Sequence, residues 1–196
     1  MIWWPFVVGY ALGSIPFAFL VARRVAGVDL RRAGSGNVGA ANVLRLTRWS
    51  AGLGVALLDA AKGSAAVWLA GLAGGDAAAR TLAGVGAVVG HVYPVWLRFQ
   101  GGKGVATSGG AFLLLAPSAA AVAAATFVLV AWATRYVSLG SVSAAVTLPA
   151  AAGLFGADRA VVAGAAGTAA LVVFRHRSNL GRLRRGGERR LGEKGA

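Results

Sequence analysis

The sequence predicts an all-α fold: a polytopic integral membrane bundle of about seven transmembrane helices, with the N-terminus outside and the C-terminus inside. Three observations predict it. The first is composition. Of the 196 residues, 57% are hydrophobic and only 13% charged, and the mean hydropathy is +0.68. A soluble domain carries about 25% charged residues, and this chain cannot clothe a globule of its size in polar surface. The second is a series of runs without Asp, Glu, Lys or Arg, namely 1–22, 81–97, 105–134, 136–157 and 160–174. Each is near or above the length that crosses ~30 Å of hydrocarbon, short helices being admissible in a thin or tightly packed bundle. The third is the placement of the basic residues, which is one-sided.

The first run, 1–22, has no basic segment before it; Arg23 and Arg24 follow it. That order reads as a first span with its N-terminus outside, not as a cleaved secretory signal. The second apolar stretch carries Asp59 and Lys62, three residues apart. They read as an inward-facing ion pair near the inner interface, with substrate contact the second reading. Run 81–97 is the third span. Run 105–134 has 30 residues, about 45 Å as a helix and too long for one crossing. Pro117 lies inside it, so the run reads as two helices, 105–116 and 118–134, turning on the outside. Runs 136–157 and 160–174 complete the seven. The loops 23–48, 98–104 and 135–140 and the tail 175–196 then lie inside and hold 17 of the 20 Lys and Arg. One kinked helix over 105–134 would instead put the tail and its eight basic residues outside, against the positive-inside rule. Five crossings, with 105–116 re-entrant and 160–174 not spanning, is the alternative. A spacing such as Gly86 to Gly90 reads as close helix packing rather than function.

Composition also excludes chemistry. There is no cysteine, so disulfides, thiolate nucleophiles and Cys-ligated zinc are absent. Two histidines and six carboxylates make a dedicated metal cage a poor reading. The expectation is no metal and no cofactor. The net charge of +14 is divided among short loops without base-stacking aromatics. It fits anionic lipid headgroups, not nucleic acid.

The inside loops hold the candidate chemistry. Gly34-Ser35-Gly36-Asn37-Val38-Gly39 contains a literal G-x-G-x-x-G, and Asn42 and Arg45 follow. A dinucleotide fold needs a strand before that motif and a βαβ unit around it; a membrane span and Arg31-Arg32 precede it here. The physics of the loop stands regardless. Glycines let successive N–H groups converge on an anion. Ser35, Asn37 and Asn42 add neutral donors, and Arg45 adds a planar fork suited to phosphate. Asn42 and Arg45 share a face if the segment is helical. A plain polar loop facing lipid does not need so many glycines and amides together.

The second loop, Gly101-Gly102-Lys103-Gly104, opens a helix near Val105, an arrangement that favours an anion. It is not a Walker A loop, because Gly104 stands where that motif needs Ser or Thr. The bland reading is a tight turn with a topogenic lysine. His91, alone in an uncharged span, reads as a hydrogen-bonded core residue. The tail opens Arg175-His176-Arg177-Ser178-Asn179 and runs through Arg182 to Glu188. A stop-transfer tail explains the arginines but not His176 and Asn179, which face one point if the helix continues. Ser141 begins a helix on the same side and is a further anion donor. Together the loops point to substrates bearing phosphate groups, handled at the membrane surface. A small phosphate or organic-anion transporter is the main alternative, but it would place its charges near the midplane in broken, inverted-repeat helices. A phosphatidyl-alcohol transferase would need a carboxylate-rich metal motif.

These loops resemble those of the bacterial acyl-phosphate:glycerol-3-phosphate acyltransferases, the PlsY family. The first is similar to the family's G-S-G-N-x-G-A-T-N-x-x-R, with Ala41 where the family usually has Thr. The second is similar to G-H-x-x-P-x-x-x-x-F-x-G-G-K-G, the third to R-H-x-x-N-x-x-R-x-x-x-G-x-E. Gly13-Ser14-Ile15-Pro16 and Asp59-Ala60-Ala61-Lys62-Gly63 fit as well. The resemblance implies a single membrane acyltransferase domain over 1–196 in the bacterial inner membrane, with its site on the cytoplasmic side. It implies a phospholipid-biosynthetic reaction: transfer of an acyl group from acyl phosphate to the 1-hydroxyl of glycerol 3-phosphate, giving lysophosphatidic acid and phosphate. Acyl-CoA is not the implied donor, and the H-x-x-x-x-D signature of acyl-CoA enzymes is absent from both histidines. Matched position by position, Ser35, Lys103 and the amides around Gly34, Gly36, Asn37, Gly39, Asn42, Gly101, Gly102 and Gly104 would hold the acyl phosphate. Arg45, Ser141, His176 and Asn179 would hold glycerol phosphate, and Arg182 and Glu188 would order the tail. The implied partners are those two substrates and membrane lipid.

Overall fold

In hydrocarbon a backbone must satisfy its own N–H and C=O groups, and a helix does so within one segment. The computed structural model describes residues 3–192, and every regular element among them is helical. Residues 1–2 and the tail residues 193–196 lie outside the described residues. In order the helices are α1 (Trp4–Gly13), α2 (Phe17–Ala26), α3 (Ala40–Leu46), α4 (Trp49–Leu72), α5 (Ala77–Val92), α6 (Val105–Leu115), α7 (Pro117–Thr134), α8 (Val137–Leu154), α9 (Arg159–Arg175) and α10 (Arg177–Arg184). Four stretches are long and apolar enough to cross a membrane: Trp4–Ala26, Trp49–Leu72, Pro117–Thr134 and Val137–Leu154. The other three expected spans are shorter, with 16 residues in α5, 11 in α6 and 17 in α9. At 1.5 Å per residue, α6 extends only ~17 Å, about half the hydrocarbon thickness.

Two prolines cut the apolar runs. The long run 105–134 divides as its length and Pro117 require. Ala116 leaves helical geometry at φ −150°, ψ 75°, and Pro117 enters α7 at its first turn, where a missing N–H costs nothing. The run 1–22, read from sequence as one uninterrupted span, is also cut. α1 ends at Gly13 and α2 begins at Phe17. Pro16 disfavours helical backbone at Ile15.

The chain forms two compact units, Met1–Ala111 and Phe112–Ala196. In the first, α1 packs along α5 through glycines on both helices. A Cβ at Gly9 or Gly13 would run into the carbonyls of Ala83 or Ala87, and one at Gly86 or Gly90 into those of Phe6 or Tyr10. The Gly86–Gly90 spacing therefore serves backbone approach. α4 meets the first part of α6 in the same way, Gly63 against Thr107 and Gly110 against Ala60, with Ser64 Oγ donating to the Gly110 carbonyl at 2.8 Å. In the second unit α8 packs against both α7 and α9, and α10 lies against α8 and α9. Trp132 and Leu154, 81% and 87% exposed, would be a liability in water but are ordinary against lipid.

Candidate active site

In the first unit two of the predicted loops come together. The first loop is held from within by Asn42, which is fully buried on α3. Its Nδ2 donates to the carbonyls of Leu30, Ala33 and Asn37 at 3.3, 3.0 and 3.0 Å, and its Oδ1 accepts from the Ser35 N–H at 2.9 Å. Asn42 is thus the strut of the loop, where the sequence suggested a donor to the ligand. The Ser35 amide is likewise engaged, while its side chain is exposed on the rim with Gly34 and Gly36. Gly34 has φ +62°, and a Cβ there would collide with Asn42 Oδ1; the left-handed turn and the strut require each other. The backbone N–H groups of Gly39, Ala40 and Ala41 at the start of α3 make no hydrogen bond among the described residues. Asn37 is half-buried and Arg45 exposed. The segment is helical as required, yet Asn42 faces inward and Arg45 outward. Beneath the loop lies a buried cluster that includes Ala22, Leu30, Val38, Val43 and Val55.

Not all of this loop's positive charge faces a ligand. Arg31 binds Asp29 through Nη2 at 2.7 Å and Nε at 3.1 Å, and lies 5.3 Å from the centroid of the Phe19 ring. The Arg31 guanidinium and its backbone N–H hold the Asp29 carboxyl down to about 2.

The second loop is laced to the end of α5. The Gly101 and Gly102 N–H groups donate to the carbonyls of Val92 and His91, both at 3.1 Å. Gly102 is buried at the meeting point of the loops: a Cβ there would strike His91 Nε2 and lie 2.7 Å from the Val38 carbonyl oxygen. Gly104, at φ +87°, turns the chain into α6. Lys103, half-buried, stands between these glycines. Asp59 and Lys62 pair at 2.9 Å, as their spacing suggested, and His91 Nδ1 lies 3.4 Å from the same carboxylate oxygen.

In the second unit the tail folds back over the start of α8. Ser138 Oγ donates to Glu188 Oε1 at 2.7 Å, Asn179 Nδ2 donates to the same oxygen, and Arg182 Nε donates to Oε2 at 2.7 Å. Burial pushes the Glu188 carboxyl up, but the bonds from Asn179, Ser138 and Arg182 outweigh it and hold it below its ordinary 4.5. The Leu191 N–H donates to the Arg135 carbonyl, and Arg135 Nη2 donates to the Leu191 carbonyl at 2.8 Å. His176 is the junction between α9 and α10, with both it and Asn179 buried. Its Nδ1 faces the Val172 carbonyl at 2.8 Å. A carbonyl only accepts, so Nδ1 carries the proton and the lone pair of the neutral ring sits on Nε2. Ser141 lies one turn inside α8, and its hydroxyl donates to the Val137 carbonyl at 2.8 Å. It is not the helix-start donor expected from sequence. Ser138, missed by sequence reasoning, does what Ser141 does not: it holds a carboxylate.

The sequence matches the family model for glycerol-3-phosphate acyltransferase over residues 3–186. A glycerol-3-phosphate acyltransferase from Synechococcus sp. (strain CC9902) is 46% identical, over 95% of this chain and 94% of that protein. The crystal structure of PlsY (YgiH), an integral membrane glycerol 3-phosphate acyltransferase, in its glycerol 3-phosphate form superposes with a TM-score of 0.92 at 38% identity, covering 97% of this chain and 96% of the other. Its lysophosphatidic acid form gives 0.90 at 37% identity, covering 97% and 95%.

The chain belongs to the glycerol-3-phosphate acyltransferase family.

An acyltransferase of this family is an integral membrane enzyme, and the transporter reading falls away. Each unit of this acyltransferase brings two of the basic segments expected on one side into contact. Loops 23–48 and 98–104 meet at Gly102 and Val38. Segment 135–140 meets the tail at Ser138–Glu188. Ala41 sits half-buried in the first turn of α3, with a methyl group where the family's usual Thr carries a hydroxyl.

Proposed function

We propose that this acyltransferase uses acyl phosphate as donor and transfers its acyl group to the 1-hydroxyl of glycerol 3-phosphate at the cytoplasmic face of the bacterial inner membrane. Lysophosphatidic acid and inorganic phosphate are the products. The observation that carries the reading is the convergence of two glycine loops at Gly102 with Lys103 beside it. A pair of loops offering a lysine and the open N–H groups of Gly39, Ala40 and Ala41 suits a phosphate ester or mixed anhydride. The solved relatives, a glycerol 3-phosphate form and a lysophosphatidic acid form, carry the acceptor and the product of this transfer.

In this reading the Ser35 hydroxyl, Lys103 and the open amides of Gly39, Ala40 and Ala41 hold the acyl phosphate and stabilise the growing oxyanion, while the Ser35, Gly36, Gly101 and Gly102 amides, already bonded within the protein, fix the loops. Arg45, His176 and Asn179 hold glycerol phosphate, and Ser141, whose hydroxyl already donates to the Val137 carbonyl, contributes as an acceptor rather than a donor. The hydroxyl oxygen bonds to the acyl carbon, and the carbon–oxygen bond to phosphate breaks with its electron pair leaving on phosphate. The hydroxyl proton passes to a phosphate oxygen of the substrate, His176 Nε2 being the alternative base. An acyl phosphate is already an activated anhydride, so no acyl-enzyme is needed. Orientation of two bound reactants contributes roughly 7–11 kcal/mol in favourable cases. Purified protein is expected to release phosphate from acyl phosphate only when glycerol 3-phosphate is present, and to do so in EDTA. Rapid quenching with labelled acyl phosphate alone should leave no acyl group on Ser35 or any other side chain. A kinetically competent acyl-serine would defeat direct transfer.

Arg45→Lys keeps the charge and loses the two-pronged fork. The expected result is a rise of about tenfold or more in KM for glycerol 3-phosphate, the loss of roughly one charge-assisted hydrogen bond. Unchanged kinetics would reduce Arg45 to a topogenic charge.

The seven-crossing topology, N-terminus outside and tail inside, is part of the same proposal and rests on the distribution of basic residues. The chain has no cysteine, so a single Cys at Gly187 reports cleanly. In intact cells it should resist an impermeant maleimide and react only after permeabilisation; labelling of intact cells would reverse the orientation.

A further inference from the structure

The Asp59–Lys62–His91 group lies inside the first unit, and the transfer chemistry assigns it no part. Asp59 and Lys62 are almost wholly buried. Lys62 Nζ donates to the Ile15 carbonyl at 2.9 Å, in the break between α1 and α2, and lies 5.7 Å from the centroid of the Phe17 ring. Asp59 neutralises that ammonium and faces His91 Nδ1 at 3.4 Å. The opposite edge of the same imidazole, Nε2, lies where a Cβ on Gly102 would have to go. The His91 carbonyl takes the Gly102 N–H, and the Val38 carbonyl of the first loop closes over Gly102 from another side. These groups, with Ser14, line a small cavity, and Ser14 Oγ in it has no hydrogen-bond partner among the described residues. Burying charges is costly. A pair that only closed the helix break would need no third group reaching to a substrate loop.

We propose that His91 is a positioning residue: backed by Asp59 at one edge, its ring is the wedge that sets the Gly101–Gly102–Lys103 turn against the first glycine loop. The inference rests on the reading that this turn holds acyl phosphate. The two edges of the ring allow a test. Asn reproduces the Nδ1 position and keeps a partner for Asp59, but leaves Gly102 unsupported. Gln reaches toward the Nε2 position and keeps the support. A misplacement of about 1 Å can cost about 10²-fold, and a smaller loop shift correspondingly less. For His91→Asn the expected result is therefore a rise of about tenfold in KM for acyl phosphate, with KM for glycerol 3-phosphate within about twofold of wild type. His91→Gln should lie closer to wild type. A merely structural histidine would reverse that order, because Asn better satisfies buried Asp59, and would lower active fraction and melting temperature without moving KM. Gly102→Ala pushes on the same ring and removes no polar group; it should show the same selective rise in KM and serves if a histidine variant fails to fold. Equal acyl phosphate KM in wild type and Gly102→Ala, or Asn performing better than Gln, overturns the inference while the acyltransferase reading stands. A wild-type protein that makes no lysophosphatidic acid from acyl phosphate overturns both.

Discussion

Replacing Lys103 by Ala is expected to lower kcat/KM for acyl phosphate by about 10²–10³-fold, the range seen when one donor to a developing oxyanion is removed. The protein should remain folded and inserted. The physical case is local. Gly101 and Gly102 are pinned to the end of α5 by two backbone hydrogen bonds, and Gly104 turns the chain at φ +87° into α6. A residue between two such fixed points has little freedom in where its Cα lies. A half-buried ammonium there is screened less than one on an open surface. The backbone bonds on either side do not involve the lysine side chain, so truncation leaves the turn intact. Arginine at the same position keeps the charge but is longer and planar, and should recover only part of the activity. The comparison is between purified wild type and variant at saturating glycerol 3-phosphate, with melting temperature and detergent extraction as controls. A Lys103→Ala enzyme within about threefold of wild type would leave the loop as a tight turn at a helix start.

Much of this was legible in the sequence because the relevant physics is local. Pro117 breaks a run too long to cross once, whatever surrounds it. Gly86 and Gly90, four apart in an apolar helix, read as packing because small residues are the means by which membrane helices approach, and a Cβ on either would run into the Phe6 or Tyr10 carbonyl. Asp59 and Lys62 pair because residues three apart on a helix share a face. What stayed hidden depends on partners far along the chain. Nothing within reach of Pro16 distinguishes a break from a kink in an uncharged run. Asn42 has the donors of a ligand-binding amide, and only the fold shows that Leu30, Ala33 and Asn37 engage them. Ser138 sits three residues before Ser141 on the same helix face, and that spacing was a usable signal. A serine in a first helical turn is common enough that only Glu188, fifty residues on, gives it meaning. The charge count likewise treats every loop arginine alike and could not tell that Arg31 is already paired with Asp29.

Replacing Glu188 by Ala is expected to undock the tail and to lower kcat/KM for glycerol 3-phosphate by about 10–100-fold, as the loss of one or two buried hydrogen bonds to a charged group would. The carboxylate is buried and accepts from Ser138, Asn179 and Arg182. Arg182 is 41% exposed, so solvent screens its share, and the loss falls mainly on the other two. Ser138 is left with a buried hydroxyl and no acceptor. Asn179 loses the group that fixes which of its ends is nitrogen. A carboxylate only accepts, so it holds Nδ2 toward itself and leaves Oδ1 as the acceptor end, suited to a glycerol hydroxyl. In the proposed reading Glu188 acts through Asn179 and need not touch substrate. The sign of the pH dependence follows from the carboxyl being held below its ordinary 4.5. Docking favours the ionised form, so its contribution is complete above 4.5 and is lost as pH falls through the lowered value. Hydrogen exchange or limited proteolysis of the tail should therefore show protection at neutral pH and release in acid. Glu188→Gln keeps the shape, loses the charge, and should show weakened protection at pH 7 with no further acid transition. A wild-type tail equally protected on both sides of that window, or a Glu188→Gln protein with wild-type protection and kinetics, would show that the carboxylate is not what holds the tail.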